Sequence, residues 1–182
     1  MGKRSNFERV ERDFYPTPFQ AVKPLLPHLS EKEFFVEPCA GDGTLVDHLE
    51  KNNMKCIFQS DIEPRRKNIL ELDVFKLDAM QFLNADLIIT NPPWDRKILH
   101  PLILHCIQLL PTWLLFDADW MHTKQAADYL PYLKKIVSVG RVKWIPDSES
   151  TGKDNCCWYY FDRYNKVMCA SFYGRLSNGR LL

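Results

Sequence analysis

Three short stretches of this sequence carry residues whose types and spacing could do chemistry. In "DLIITNPPWDRK" (Asp86 to Lys97) an Asn and two prolines follow an apolar run, and a Trp follows the prolines. Prolines there end a strand, and their fixed φ holds the turn beyond it extended. In "VEPCAGDGTLVDHL", Gly41 and Gly43 lie between an apolar run and a helix-like segment. Glycines at such a turn allow positive φ and let the backbone approach a ligand closely. In "QSDIEP", Asp61 ends the next apolar run. A carboxylate at that position can accept both hydroxyls of a ribose.

A G-x-G pair alone is shared with ordinary turns. Its place here, with a strand before, a helix after and an acid ending the next strand, favours a ligand loop, the alternative being an ordinary turn with Asp61 solvated or capping the following helix. Pyrophosphate is the poorer ligand, because Glu37 and Asp42 would repel it. Those acids suit a phosphate-free molecule with a cationic end. S-adenosylmethionine, with its ammonium and sulfonium groups, meets that requirement better than a nicotinamide dinucleotide. Position 46, where the third glycine of a dinucleotide fingerprint would fall, is Val.

The elements that must position these residues read as an α/β chain. "FFVEP" (Phe34 to Pro38), "KCIFQSDI" (Lys55 to Ile62), part of "NILELDVF" (Asn68 to Phe75), "DLIIT" (Asp86 to Thr90) and "WLLFDAD" (Trp113 to Asp119) read as strands. "TLVDHLEKN" (Thr44 to Asn52), "ILHPLILHCIQLL" (Ile98 to Leu110, with Pro101 in a first turn) and "TKQAADYLPYLKK" read as helices. That alternation implies a parallel sheet covered by helices. Two β-rich runs, "IVSVGRVKWIP" and "CCWYYFDR", are separated only by polar "DSESTGKDN" and imply an antiparallel hairpin. "VMCASFYG" offers one more strand.

Composition narrows the classes. The chain has 182 residues, 46% of them hydrophobic and 13% aromatic, enough for one well-buried core rather than a disordered segment. Net charge is +1, so any nucleic-acid contact must come from a local patch. The richest basic stretches, "GKR", "RRK" (Arg65 to Lys67) and "DRK" (Asp95 to Lys97), read as solvated faces. Six cysteines lack C-x-x-C spacing and the five histidines are scattered, so the expectation is reduced thiols, no metal and a cytoplasmic protein. No apolar run is long enough to span a bilayer. Trp113, Trp144 and Trp158 read as core. Trp120, in "DADWMH" after the fifth strand, reads as core or as a substrate-stacking ring, and Arg141 and Lys143 as strand-edge charges that could meet phosphates.

With the glycine turn, Asp61 and "NPPW" in this order, the chain resembles the class I methyltransferases that modify the exocyclic nitrogen of adenine, over about Asp13 to Arg163. The resemblance implies a Rossmann-like fold, a mostly parallel seven-stranded sheet with a C-terminal antiparallel hairpin and helices on both faces. It implies a single domain, with an arm over 1–12, a catalytic core over 13–163 and an extension over 164–182. "DFYPTP" is similar to the motif whose Thr helps hold the methionine carboxylate, implying Thr17 with neighbouring Tyr15. "EPCAGDG" is similar to the methionine-binding loop, implying Glu37, Cys39, Ala40, Gly41 and Gly43. "SDIEP" implies Asp61 and Ile62 at the ribose. The acid that contacts the cofactor's adenine would be Asp73 or Asp78, with Asp73 preferred because it directly follows the apolar run.

"NPPW" is similar to the catalytic motif, implying Asn91, Pro92, Pro93 and Trp94. An amine conjugated to a purine is a poor nucleophile. The Asn91 side-chain oxygen and the Pro92 carbonyl could accept its two hydrogens, favouring a tetrahedral nitrogen with its lone pair on the sulfonium methyl. Trp94 could stack on a base withdrawn from a helix. The implied activity is S-adenosylmethionine-dependent methylation of adenine N6 in DNA. Adenine in RNA, a protein Gln side chain and a non-catalytic nucleic-acid-binding role are the alternatives. No separate target-recognition domain is expected, which leaves substrate reading to loops 95–98, 120–124 and 147–155 and to the N-terminal arm. Oligomeric state is not legible.

Overall fold

The computed structural model describes residues 14–145, 151–167 and 169–175. The expected arm over 1–12, Asp13, the centre of the hairpin loop and the last seven positions lie outside the described residues.

Among the described residues eight strands form one sheet: β1 (Phe34–Glu37), β2 (Lys55–Asp61), β3 (Leu70–Glu71), β4 (Leu87–Thr90), β5 (Thr112–Asp117), β6 (Leu133–Arg141), β7 (Asn155–Phe161) and β8 (Ser171–Tyr173). The order is β3-β2-β1-β4-β5-β7-β6-β8. β1 to β5 run parallel, β7 is antiparallel to both its neighbours, and β8 is parallel to β6. The sheet is mostly parallel with an antiparallel C-terminal hairpin, as expected, but has eight strands rather than seven. The extra strand is the short segment within "VMCASFYG", which pairs through Ser171, Phe172 and Tyr173.

Side chains of the central strands alternate between two buried clusters. Val36, Ile88, Leu114 and Phe116 pack under α3 (Arg96–Leu109), through Leu99, Leu102, Ile103 and Cys106. Phe35, Leu87, Ile89, Trp113 and Leu115 pack under α1 (Phe19–Val22) and α2 (Thr44–Glu50), through Ala21, Val22, Leu45 and Leu49. Burial on both faces explains why "LIIT" and "TWLLF" read as continuous apolar runs rather than alternating ones.

Two expectations need correction. The segment 123–135 is not a helix. It makes tight 3-10 turns at Lys124–Asp128 and Leu130–Tyr132 and enters β6 at Leu133. Pro131 has no N–H to donate and would clash with the preceding turn of an α-helix. Lys134 is buried and donates from Nζ to the carbonyls of Pro131 (2.8 Å) and Val167 (2.7 Å), tying the turn to the chain leading into β8. Pro101 lies in the second turn of α3 rather than the first, because Asp95 caps the helix earlier by accepting from the Lys97 N–H at 3.0 Å. Pro101 and Lys97 are both exposed, so the missing helical donor falls on the solvent side of the helix.

Strand order reverses between β1 and β4. The chain leaves β1 outward through β2 and β3, then returns to start β4 on the other side. The loops after β1 and after β4 therefore open side by side at the carboxyl edge, where doubly wound sheets bind ligands. No helix among the described residues is long and apolar enough to cross a membrane.

Candidate active site

At the reversal point lies a cavity of about 590 Å³. Its walls come from the segment before α1 (Phe14 to Thr17), the loop after β1 (Pro38 to Asp42), the end of β2 (Asp61 to Glu63, with Arg65), residues 73–75, and Asn91, Pro93 and Asp95 after β4. Of the residues singled out in the sequence, Tyr15, Thr17, Cys39, Ala40, Gly41, Asp61, Ile62, Asp73, Asn91 and Pro93 line it. Glu37, Gly43, Asp78, Pro92 and Trp94 do not reach its wall.

Gly41 has φ +54°, and a Cβ there would come within 2.6 Å of the Phe14 ring. Only glycine satisfies both the backbone and the packing. The Gly41 N–H donates to Asp61 Oδ2 and the Glu63 N–H to Asp61 Oδ1, both at 2.8 Å. Two backbone donors thus fix the Asp61 carboxylate, and each oxygen keeps a lone pair for a hydroxyl. Gly43, at φ +76°, precedes α2, and its N–H closes the loop onto the Ala40 carbonyl at 2.6 Å.

Asp73 and Asp78 each start a 3-10 turn, accepting from Phe75 N at 3.0 Å and Met80 N at 2.9 Å. Asp73 faces the cavity, whereas Asp78 is exposed away from it and engages Gln81 in a capping box. Glu37, the last residue of β1, is fully buried. Its Oε1 accepts from the Cys39 N–H at 3.3 Å, and Oε2 has no partner among the described residues. Burial holds its carboxyl well above the usual carboxylate range, and the Asp61 charge pushes the same way. Burial likewise raises the Cys39 thiol, so that residue meets the cavity as a small neutral group. Cys106 and Cys156 are pushed to about 12 by burial, while Cys169 is exposed.

After β4, the Asn91 side chain bridges two distant elements. Its Nδ2 donates to Thr17 Oγ1 at 3.1 Å, and its Oδ1 accepts from the Trp94 indole N–H at 3.2 Å. The same indole N–H also reaches the Leu115 carbonyl at 3.1 Å. The half-buried Trp94 ring stands T-shaped to Trp144 of the hairpin, with centroids 5.8 Å apart.

Sequence reading missed Phe14 and Arg65. The Arg65 guanidinium lies 3.5 Å above the centre of the Phe14 ring, closing one side of the cavity. All three residues of "RRK" are exposed, as expected of a solvated face, but Arg65 lies over Phe14 at the cavity rim and Arg66 forms a two-pronged pair with Asp47 at 2.7 and 2.8 Å. The position of Phe14 inside "DFYPTP" was the available signal; nothing marked Arg65. Trp120 is excluded as a stacking ring. It is 1% exposed, donates to His100 Nε2 at 3.0 Å, and sits among Phe116, Tyr129, Tyr159 and Phe161.

Neither a protein-family model nor a curated protein matches the chain. Solved structures do. A protein described as a class I S-adenosylmethionine-dependent methyltransferase from Listeria monocytogenes superposes with TM-score 0.60 at 12% identity, over 96% of this chain and 69% of that one. A type I restriction-modification methyltransferase subunit from Streptococcus thermophilus gives 0.59 at 8% identity, over 88% and 47%. A protein described as an RNA methyltransferase from Pyrococcus horikoshii gives 0.54 at 16% identity, over 86% and 90%. The fold is that of the class I methyltransferases. The chain spans about half of the Streptococcus subunit and nearly all of the Pyrococcus protein.

The cavity's chemistry fits a cationic, phosphate-free ligand. Its walls carry the carboxylates of Asp42, Asp61, Glu63, Asp73 and Asp95 against one guanidinium, that of Arg65, which is already engaged with Phe14. A pyrophosphate would meet net negative charge there, whereas an ammonium or sulfonium would be attracted.

Proposed function

We propose that this protein is an S-adenosylmethionine-dependent methyltransferase acting on the exocyclic N6 of adenine in DNA. The observation that carries the reading is the Asn91 amide, held at the wall of an acid-rich cavity beside the Asp61 loop. Asp61 would take the ribose hydroxyls and Asp73 the adenine of the cofactor. The Thr17 hydroxyl accepts from Asn91, so its own proton is free to donate to the methionine carboxylate. Bound in this cavity, S-adenosylmethionine supplies an electrophilic methyl group on sulfur.

Asn91 Oδ1, on the cavity wall, would accept one hydrogen of the target amine, and the Pro92 carbonyl, just behind that wall, the other, so that the lone pair turns toward the methyl. The cofactor would supply the methyl and leave as a neutral thioether, and the extra proton of the methylated amine would pass to water. No strong base is needed. The work is orientation and stabilisation of charge developing on nitrogen. The Trp94 ring, beside Asn91 and half-buried though short of the cavity wall, is the aromatic on which the withdrawn base would stack.

A second reading, adenine in RNA, draws support from the likeness to the Pyrococcus protein along nearly the full length of both chains. Labelled cofactor offered with duplex DNA, single-stranded DNA, RNA and protein extract, followed by digestion to nucleosides, separates the readings. Label in N6-methyldeoxyadenosine is expected, and label confined to RNA or protein would overturn the DNA assignment. Asn91→Ala should keep cofactor affinity by calorimetry and lose about 10²–10³-fold in kcat, the usual cost of one such electrostatic group.

A further inference from the structure

An Asn amide is asymmetric. Rotated by half a turn about its last bond, it would offer the target amine an N–H donor in place of an acceptor, and the site described above would fail. Something must therefore fix its orientation. Thr17 cannot do this alone, because a hydroxyl donates or accepts with equal ease. The indole N–H of Trp94 is a donor with no acceptor capacity, so the atom of Asn91 that meets it must be oxygen.

We propose that Trp94 is a positioning residue whose indole N–H locks the Asn91 amide with Oδ1 beside the indole and Nδ2 on Thr17, leaving the second lone pair of Oδ1 for the target amine. This inference rests on the function proposed above and assigns Trp94 a task separate from base stacking. The Leu115 carbonyl strengthens it. That carbonyl shares the indole proton at 3.1 Å, so it lies within reach of the same donor as Asn91 Oδ1. Without the indole N–H, two carbonyl oxygens would face each other with no proton between them. The amide would relieve this by rotating Nδ2 toward Leu115, which is the unproductive orientation. The T-shaped contact with Trp144 fixes the plane of the Trp94 ring and so the direction of its N–H. The β6–β7 hairpin thereby helps, through Trp144, to aim the Asn91 amide.

Trp94→Phe keeps an aromatic face and removes the N–H. Its kcat should fall about five- to tenfold, the factor that one hydrogen bond of ordinary net strength makes to an orientational equilibrium. KM for the nucleic acid should stay within about threefold, since stacking survives. The decisive comparison is the same change in an Asn91→Asp background. A carboxylate presents oxygen in either rotation, so Trp94→Phe should there cost less than about twofold. Equal losses in the two backgrounds, or wild-type kcat for Trp94→Phe, would overturn the proposal.

A spectroscopic arm stands apart from turnover. The Trp94 indole N–H resonance, identified by its loss in Trp94→Phe, should shift in Asn91→Ala as one of its two acceptors disappears and the Leu115 carbonyl takes the proton alone. An unmoved resonance would overturn the locking bond even if the protein methylated every substrate offered. If wild-type protein methylates nothing, the proposed function falls, while the resonance still decides whether the indole holds the amide.

Discussion

Glu37 has no exposed surface, yet it is the acid on which a sequence reader leans to reject pyrophosphate. Burial pushes its carboxyl well above the usual carboxylate range, and it does not reach the cavity wall, so it is not the acid that a ligand meets. The repulsion comes from the acids on the cavity wall, which the sequence scatters over Asp42, Asp61, Glu63, Asp73 and Asp95. That upward shift of Glu37 has a measurable consequence. Its folded-state affinity for a proton exceeds that of the unfolded chain, so its contribution is complete below the ordinary value of 4.5 and is lost as pH rises toward the folded value. Stability measured against Glu37→Gln, a neutral mimic, should therefore decline above that point by about 1.4 kcal/mol per pH unit until the folded group ionises. Urea titrations of both proteins between pH 5 and pH 8 would show it, and parallel curves would mean that Glu37 is charged in the fold.

The loop after β1 and the segment carrying Phe14 work as one element, because Gly41 admits the Phe14 ring where a side chain would stand. Gly41→Ala should cost about 1–2 kcal/mol for the left-handed backbone, with a further penalty for the clash. Phe14→Ala in that background should recover only the clash, which a thermal-melting cycle of the four proteins would resolve. These elements were unevenly legible. The strands β1, β2, β4, β5 and β7 announced themselves because apolar or β-branched runs closed by Pro, Asp or polar residues have few other fates. Residues 123–135 did not, since Ala, Leu and Lys at helical spacing favour a helix locally, while Pro131 and the open edge of β7 draw Leu133 onward into the sheet. Motif residues at the turns could be placed from type and position. The Arg65–Phe14 contact joins residues distant in sequence and leaves no periodic trace.

For the whole molecule, and on the function proposed above, charge would decide how a nucleic acid is met. Net charge is +1 and the cavity wall is acidic, so attraction to phosphates must be confined to a few side chains. Anisotropy titrations with duplex DNA at several salt concentrations should give a log–log slope no steeper than about −3, the value for roughly three neutralised phosphates. A slope near −6 would reveal an extended basic face. Such a shallow dependence would leave base contacts and stacking to supply selectivity. The sheet order carries a different consequence, for the chain as it is made. β7 is almost the last strand synthesised, yet it sits inside the sheet between β5 and β6. At about 5–20 residues per second, several seconds separate the emergence of β5 from that of its neighbour. Throughout that interval "TWLLFD" presents an apolar strand with an open edge, the kind of surface that recruits other chains. A ribosome that stalls before "NCCWYYF" would therefore release an aggregation seed rather than a harmless fragment.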